Sequence, residues 1–240
     1  MKCIVVTGDS RGLGNVICDK LLENGYKVVG ISRKRSEYVE KLESKYNGTY
    51  KHINFDLSMT ESIKELYFTE LKHEGPIYGL VNNAAIAYDE ITTNAQLEPL
   101  ERMFRINVYS AIILTKYVIR DMLLNETRGS IVHISSVCAH TGYKGLSMYA
   151  ATKGAIEAFS RTAAREFGVK KIRSNCVAPG FMETEMSKTL SSEQRDRIYL
   201  RTSLREETHM DSVAETVRFL LSDESMSITG QVIHVDNGTI

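Results

Sequence analysis

Residues 5–17 read "VVTGDSRGLGNVI". A β-branched apolar run ends at Thr7, and Gly8, Gly12 and Gly14 follow within seven residues, where a helical pattern begins. Glycines at a strand-to-helix turn let the backbone approach a pyrophosphate closely. The helix N-terminus adds unpaired N–H groups and a partial positive charge. A glycine cluster alone can serve merely as a tight turn. Placed after the first strand of a βαβ pattern, it predicts a dinucleotide site.

The pattern continues outward from that stretch. "KVVGIS" (27–32), "YKHINFDL" (50–57), "IYGLVNNA" (77–84), "GSIVHISS" (129–136), "IRSNCVAPG" (172–180) and "GQVIHVDNG" (230–238) are short strand-like runs bounded by Gly, Asn or Asp. Between them lie helical patterns at 14–25, 36–48 and 59–75, a long apolar helix over roughly 97–124, and an alanine-rich helix opened by Tyr149. Such alternation argues for an α/β fold: a doubly wound parallel sheet with helices on both faces. Pro76, Pro99 and Pro179 fall at element boundaries, and no repeat, low-complexity tract or linker interrupts the 240 residues. One domain spanning 1–240 is expected.

Composition narrows the function. Apolar residues make up 42% and charged residues 25%, ordinary for a globular chain. Thirty Lys and Arg balance thirty Asp and Glu, so no global field points to nucleic acid or an acidic membrane surface. Cys3, Cys18, Cys138 and Cys176 show no CxxC spacing and read as free buried thiols, not as metal ligands. "MKCIVVTG" holds an apolar run too short for a secretion signal, and nothing approaches a membrane span. A cytoplasmic protein is expected.

The second strand speaks to the choice of dinucleotide. Preference for the unphosphorylated form would place an acidic residue after that strand. The chain instead reads "VVGISRKR", with Ser32, Arg33 and Lys34, and Arg11 lies inside the glycine loop. Two guanidiniums near the ribose suit a 2′-phosphate. NADP(H) is the expected cofactor.

In "SMYAATKGAIEAF" (147–159), Tyr149 and Lys153 stand four apart on one helical face. That spacing alone is common. Together with the other motifs, the chain resembles the short-chain dehydrogenase/reductase family from end to end, a Rossmann-type fold. The residues that carry the likeness are "TGDSRGLG", "NNAA" (82–85), Asn107 in "RINVYSA", the serine of "HISSV", "YAATK" and "NCVAPGFMETEM". Within the family the chain looks most like the β-ketoacyl-acyl-carrier-protein reductases.

The resemblance implies roles at matching positions. Tyr149 would be the proton donor to a carbonyl, or the base in reverse. Lys153 would lower the phenol's pKa and hold the nicotinamide ribose. Ser136 would bond the substrate oxygen, and strand alternation turns its neighbour Ser135 to the other face. Asn107 would hold a water linking Lys153 to solvent. Cofactor contacts would come from Gly8, Ser10, Arg11, Gly12, Leu13 and Gly14, from Arg33, from Asp56 and Leu57, from Asn83 and Ala84, and from Pro179, Gly180, Met182 and Thr184, besides Tyr149 and Lys153. Taken alone, Asp56 reads equally as a cap or turn aspartate. A free tyrosine near pKa ~10 is poorly matched to neutral pH, and lowering it by ~3 units requires roughly 4 kcal/mol of differential interaction.

Three departures from the family pattern stand out: Ala85 ends "NNAA" where glycine is usual, "RTSLREETHM" (201–210) lacks a usual proline, and the chain stops at "DNGTI", so subunit contacts made by a tail in relatives are expected to differ. The expected substrate is a small carbonyl or alcohol, either a β-ketoacyl group on acyl carrier protein or a keto-sugar, polyol or other ketone. A non-catalytic NADP(H)-binding module is the other class, but it should show damage in the catalytic quartet, and none is visible. Arg128, Lys170 and Lys171 are candidate contacts to the carrier protein beside the entrance, with plain solvation as the alternative. The apolar helix 109–124 and the alanines 150, 151, 155, 158, 163 and 164 suggest helices that pair across subunits, giving a homo-oligomer, either dimer or tetramer.

Overall fold

The computed structural model describes residues 1–184 and 191–240. Glu185 and Met186, which end the "NCVAPGFMETEM" motif, lie outside the described residues. Seven strands form one sheet: β1 (Cys3–Thr7), β2 (Lys27–Ser32), β3 (Tyr50–Asn54), β4 (Ile77–Asn82), β5 (Ser130–Ile134), β6 (Arg173–Pro179) and β7 (Val232–Val235). Their order is β3-β2-β1-β4-β5-β6-β7, and every pair is parallel. The chain winds one way from β1 to β3 and then crosses to β4 on the other side of β1. That reversal opens a crevice at the carboxyl ends of β1 and β4, the position where such sheets bind ligands.

Both faces are covered, which is why the strands are near-continuous apolar runs. Ile4 and Val6 point to one face with α1 (Gly12–Glu23), α2 (Glu37–Lys45) and α8 (Met210–Leu221). Cys3 and Val5 point to the other, with α3 (Ile63–Thr69) and α5 (Ser110–Leu124). A third apolar cluster joins α5, α6 (Ser147–Phe167) and Cys176 of β6. The expected doubly wound sheet is the one observed.

Some elements differ from the expectation. The helix expected over 97–124 is α4 (Leu97–Phe104) and α5 separated by a π-turn, Arg105–Tyr109. The helical pattern of 59–75 shortens to α3 flanked by single 3₁₀ turns. Two helices were not singled out in the sequence, α7 (Ser192–Tyr199) and α8. Both carry legible signals: Ser191 and Gln194 form a capping box before α7, and α8 buries Val213, Ala214, Val217, Leu220 and Leu221 at helical spacing. No described helix is long and apolar enough to cross a membrane. Cys3, Cys18 and Cys176 are buried free thiols, whereas Cys138 is half-buried.

Candidate active site

The glycine loop follows β1, and its three glycines serve three different needs. Gly8 has φ +78° and its N–H bonds the carbonyl of Ile31 on β2 at 2.7 Å. Gly12 has φ +54°, and a Cβ built there would meet nothing within 4 Å. Gly14 is the packing glycine: a Cβ there would run into the Gly8 carbonyl oxygen and lie 2.6 Å from Asn83 Nδ2. Tight turn, open approach and close helix packing are the three requirements of a pyrophosphate cradle. Helix α1 starts here with no side-chain cap, so its first N–H groups point at the loop. Leu13 faces the core, while Ser10 holds the loop down by accepting from Ser36 Oγ through its carbonyl at 2.5 Å. These features fit a dinucleotide.

An acid buried beneath the loop escaped the sequence reading. Asp9 is 0% exposed, and its Oδ2 accepts from Tyr50 Oη at 2.6 Å and pairs with His52 Nδ1 at 2.7 Å. Its Oδ1 is buried without a partner among the described residues. The carboxylate lies against the backbone of β2, where a Cβ on Gly30 would overlap Oδ2. Burial pulls the His52 pKa down, but the bonds to Asp9 outweigh it and hold the value above normal.

The end of β4 is wired to the same loop. Thr7 Oγ1 accepts from Asn83 N and Ala84 N, each at 3.0 Å, while Asn83 Nδ2 donates to the Thr7 carbonyl at 2.8 Å. Arg11 and Arg33 are exposed, and neither has an ion-pair partner within 4 Å among the described residues. Asp56 Oδ1 accepts from Ser58 N at 2.9 Å, a turn aspartate as well as a ligand candidate. Burial opposes its charge, but the Ser58 bonds and the Arg33 and Arg102 guanidiniums prevail and lower its pKa. Leu57 is buried beside it. Pro179 ends β6, and a Cβ on Gly180 would crowd Asp236 and Thr208. Met182 and Thr184 follow and are engaged in contacts of their own.

Ser136, Tyr149 and Lys153 meet where β5 and α6 adjoin. Lys153 is 4% exposed; its Nζ donates to the Ile134 carbonyl at 2.8 Å and lies 5.4 Å from the Tyr149 ring centroid. Burial lowers its pKa to about 8. Burial likewise drives the Tyr149 phenol well above its usual value, helped by Cys138 and Asp89, with Ser136 pulling the other way. Desolvation outweighs the lowering by Ser136, the expected lowering by Lys153 does not figure among the causes, and the phenol is kept protonated. Ser136 Oγ accepts from Cys138 N at 3.2 Å, and Ser135 turns away to Glu157 as alternation required.

Asn107 sits inside the π-turn, a wide turn that often marks a functional site. Its Oδ1 accepts from Ile86 N at 2.9 Å, and its Nδ2 donates to the Ile86 carbonyl at 2.9 Å and to Thr152 Oγ1 at 3.1 Å. Thr152 Oγ1 in turn donates to the Tyr149 carbonyl at 2.7 Å. Both Nδ2 donors are spent on positioning, so a water link to Lys153 would have to use the second lone pair of Oδ1 or the main chain. Nearby, His133 is fully buried and held by Asn82 Nδ2 at 3.1 Å; burial lowers its pKa to about 3, so it stays neutral.

Arg128, Lys170 and Lys171 are not beside this site. They precede β5 and β6, and in a parallel sheet the loops entering strands lie on the edge opposite those leaving them. Ala163 and Ala164 are buried against the chain's own core, whereas Ala151 and Ala158 are exposed. No cluster of three or more His, Cys, Asp or Glu among the described residues is placed to hold a metal.

A family model described as enoyl-(acyl carrier protein) reductase matches residues 8–239. The 3-oxoacyl-[acyl-carrier-protein] reductase FabG of Escherichia coli (strain K12) is 36% identical over 241 residues, covering 99% of this chain and 96% of that protein. A solved short chain dehydrogenase/reductase family protein superposes with a TM-score of 0.88 at 28% identity, covering 99% and 96% of the two chains. A 4-hydroxyisoleucine dehydrogenase complexed with NADH shares the fold with a TM-score of 0.93 at 23% identity, covering 100% and 98%.

Proposed function

The chain belongs to the short-chain dehydrogenase/reductase family of nicotinamide-dependent oxidoreductases, and on that premise we propose that it reduces a β-ketoacyl thioester carried on acyl carrier protein, using NADPH. One observation carries the catalytic reading: a protonated, half-buried phenol, a serine and a buried ammonium converge at the carboxyl end of the sheet. Bound NADPH would supply the hydride to the carbonyl carbon. The protein's own task is then the oxygen. Ser136 Oγ hydrogen-bonds it, and Tyr149 Oη gives it a proton as negative charge develops. A phenol kept protonated by burial is already in the acid form that reduction needs.

Lys153 uses one of its three N–H donors on Ile134 and has two left for a ribose hydroxyl and for the phenol's side of the site. Asn107 is a positioning residue: through Thr152 it fixes the first turn of α6, where Tyr149 stands. Arg11 and Arg33 are free to grip a 2′-phosphate, which favours NADP(H) over NAD(H). Asn83 and Ala84 would lie under the ribose, Asp56 and Leu57 beside the adenine, and Pro179, Gly180, Met182 and Thr184 along the nicotinamide.

Assembly follows from the outward helix faces. Ile112 and Ile113 are half-buried, and Tyr109, Leu124, Ala151 and Ala158 are exposed along α5, α6 and the π-turn, a surface suited to a second copy. A two-fold axis perpendicular to these helices would set α5 and α6 antiparallel to their counterparts. The ends that carry Arg128, Lys170 and Lys171 then approach the partner's Tyr149 end, which restores them as contacts for an acidic carrier protein. Light scattering should give a mass well above the 27.0 kDa of one chain; a monomer would remove this arrangement. The activity itself is tested by NADPH oxidation, followed by absorbance, with acetoacetyl thioesters, keto-sugars and other small ketones. Turnover of the thioester above the others supports the proposal. Turnover of sugars alone would replace the substrate class, and no turnover of any ketone would refute the reading.

A further inference from the structure

Glu157 has no part in the reaction proposed above, yet it is a carboxylate only 5% exposed. A buried carboxylate costs stability unless its oxygens are well bonded. Its Oε1 accepts from Ser135 Oγ at 2.5 Å and pairs with His140 Nε2 at 2.9 Å. Ser135 and His140 are the two ends of the segment that leaves β5 and carries Ser136. Between them the backbone closes into one 3₁₀ turn, Val137–Ala139, with Ala139 N bonded to the Ser136 carbonyl at 3.0 Å and His140 N to the Val137 carbonyl at 2.9 Å. The His140 ring also stands edge-on to His234 of β7, with centroids 4.4 Å apart. A compact turn is thus tied at both ends to one oxygen. That oxygen belongs to α6, the helix that carries Tyr149 and Lys153, with Glu157 one turn beyond the lysine.

We propose that Glu157 is a positioning residue that sets Ser136 in register with Tyr149 by clamping both ends of the serine's segment to the tyrosine's own helix. The inference rests on the reading of Ser136 and Tyr149 as partners on one carbonyl oxygen. Without the clamp the segment keeps its backbone turn but can drift on α6, and Ser136 loses its fixed distance from the phenol. A loss of this kind falls on kcat and spares cofactor binding, because the glycine loop is untouched.

The test compares Glu157→Ala in two backgrounds, native and Ser136→Ala, using acetoacetyl thioester or the best ketone of the panel with NADPH. In the native background Glu157→Ala should lower kcat by roughly 10- to 100-fold, as a small misplacement of a reacting group does, while NADPH binding followed by fluorescence is unchanged. Glu157→Gln keeps an oxygen acceptor and should recover most of the rate. In the Ser136→Ala background the added Glu157→Ala should cost no more than about two-fold, since residues acting as a unit are not additive. An equal loss in both backgrounds would overturn the clamp, and so would native-like kcat in Glu157→Ala. An unchanged rate in Ser136→Ala alone would overturn the reading of the site and the clamp with it. Should Glu157→Ala fail to fold, Ser135→Ala removes one of the two ties and takes its place in the same comparison.

Discussion

The two ends of the cleft are built by different means. Around β1 and α1, backbone geometry shapes the candidate site: three glycines, an uncapped helix start and the bonds made by Gly8 N and the Ser10 carbonyl. Around β5 and α6, buried side chains do it, and each is held by another side chain or carbonyl. The first end is defined by the space it leaves open, the second by the groups it keeps in register. Substitutions should therefore fail differently at the two ends: by steric collision or lost anion binding at the loop, by lost rate at the helix.

Tyr149→Phe is the strongest way to break the comparison. It should lower ketone reduction by ~10²–10⁴-fold while NADPH affinity stays the same. More than about a tenth of the native rate would mean that the proton comes from elsewhere. At the backbone end, Gly14→Ala and Gly12→Ala should separate fold from binding. The added methyl at Gly14 meets backbone that cannot yield, so a loss of about 1–3 kcal/mol should appear as a lower Tm. Gly12→Ala has room for its methyl and costs only about 1–2 kcal/mol of left-handed strain, but it crowds the approach to the pyrophosphate. Its signature is reduced stabilisation by NADPH in the same melts; identical behaviour of the two variants would erase the distinction.

Arg33→Asp sharpens the comparison, because it changes which dinucleotide the loop end accepts without touching the helix end. The kcat/KM ratio of NADPH to NADH should fall by roughly 10- to 100-fold, the worth of one charge-assisted contact. An unchanged ratio would place Arg33 outside the site. The smallest effect concerns His52. Its folded pKa is raised, so the bond to Asp9 stabilises fully below the unfolded value near ~6.5 and fades as pH rises through the folded value. Tm should decline modestly from that pH upward, and His52→Gln should flatten this part of the profile. The groups facing the pair are Tyr50 and Asn54 on β3, Cys18 on α1 and Glu43 on α2. A native-like slope in the variant would assign the effect to another of them.

The same contrast explains what the sequence disclosed. Strands buried on both faces announce themselves as apolar runs, and a glycine loop announces itself by spacing, because both signals are local. Tyr149, Lys153 and Ser136 were legible through motifs whose geometry the fold then assembled. The π-turn was not, since it depends on Asn107 meeting Ile86, which is distant in sequence. Glu157 in "GAIEAF" reads as an ordinary solvated helix charge, and Asp9 as a loop residue, until the sheet closes over them. The place of Arg128, Lys170 and Lys171 is legible from topology: each precedes a strand, and a parallel sheet assigns them to the end opposite the site.

Asp9 and Gly30 also bear on the chain's descent. The carboxylate occupies the space a side chain at position 30 would need. A lineage that replaces Gly30 first passes through an intermediate in which a methyl and a buried oxygen overlap. A lineage that first shortens Asp9 frees the space and loses only the ties to Tyr50 and His52. Change at these two positions is therefore ordered: among descendants, a side chain at 30 should be found only where the acid at 9 has already gone.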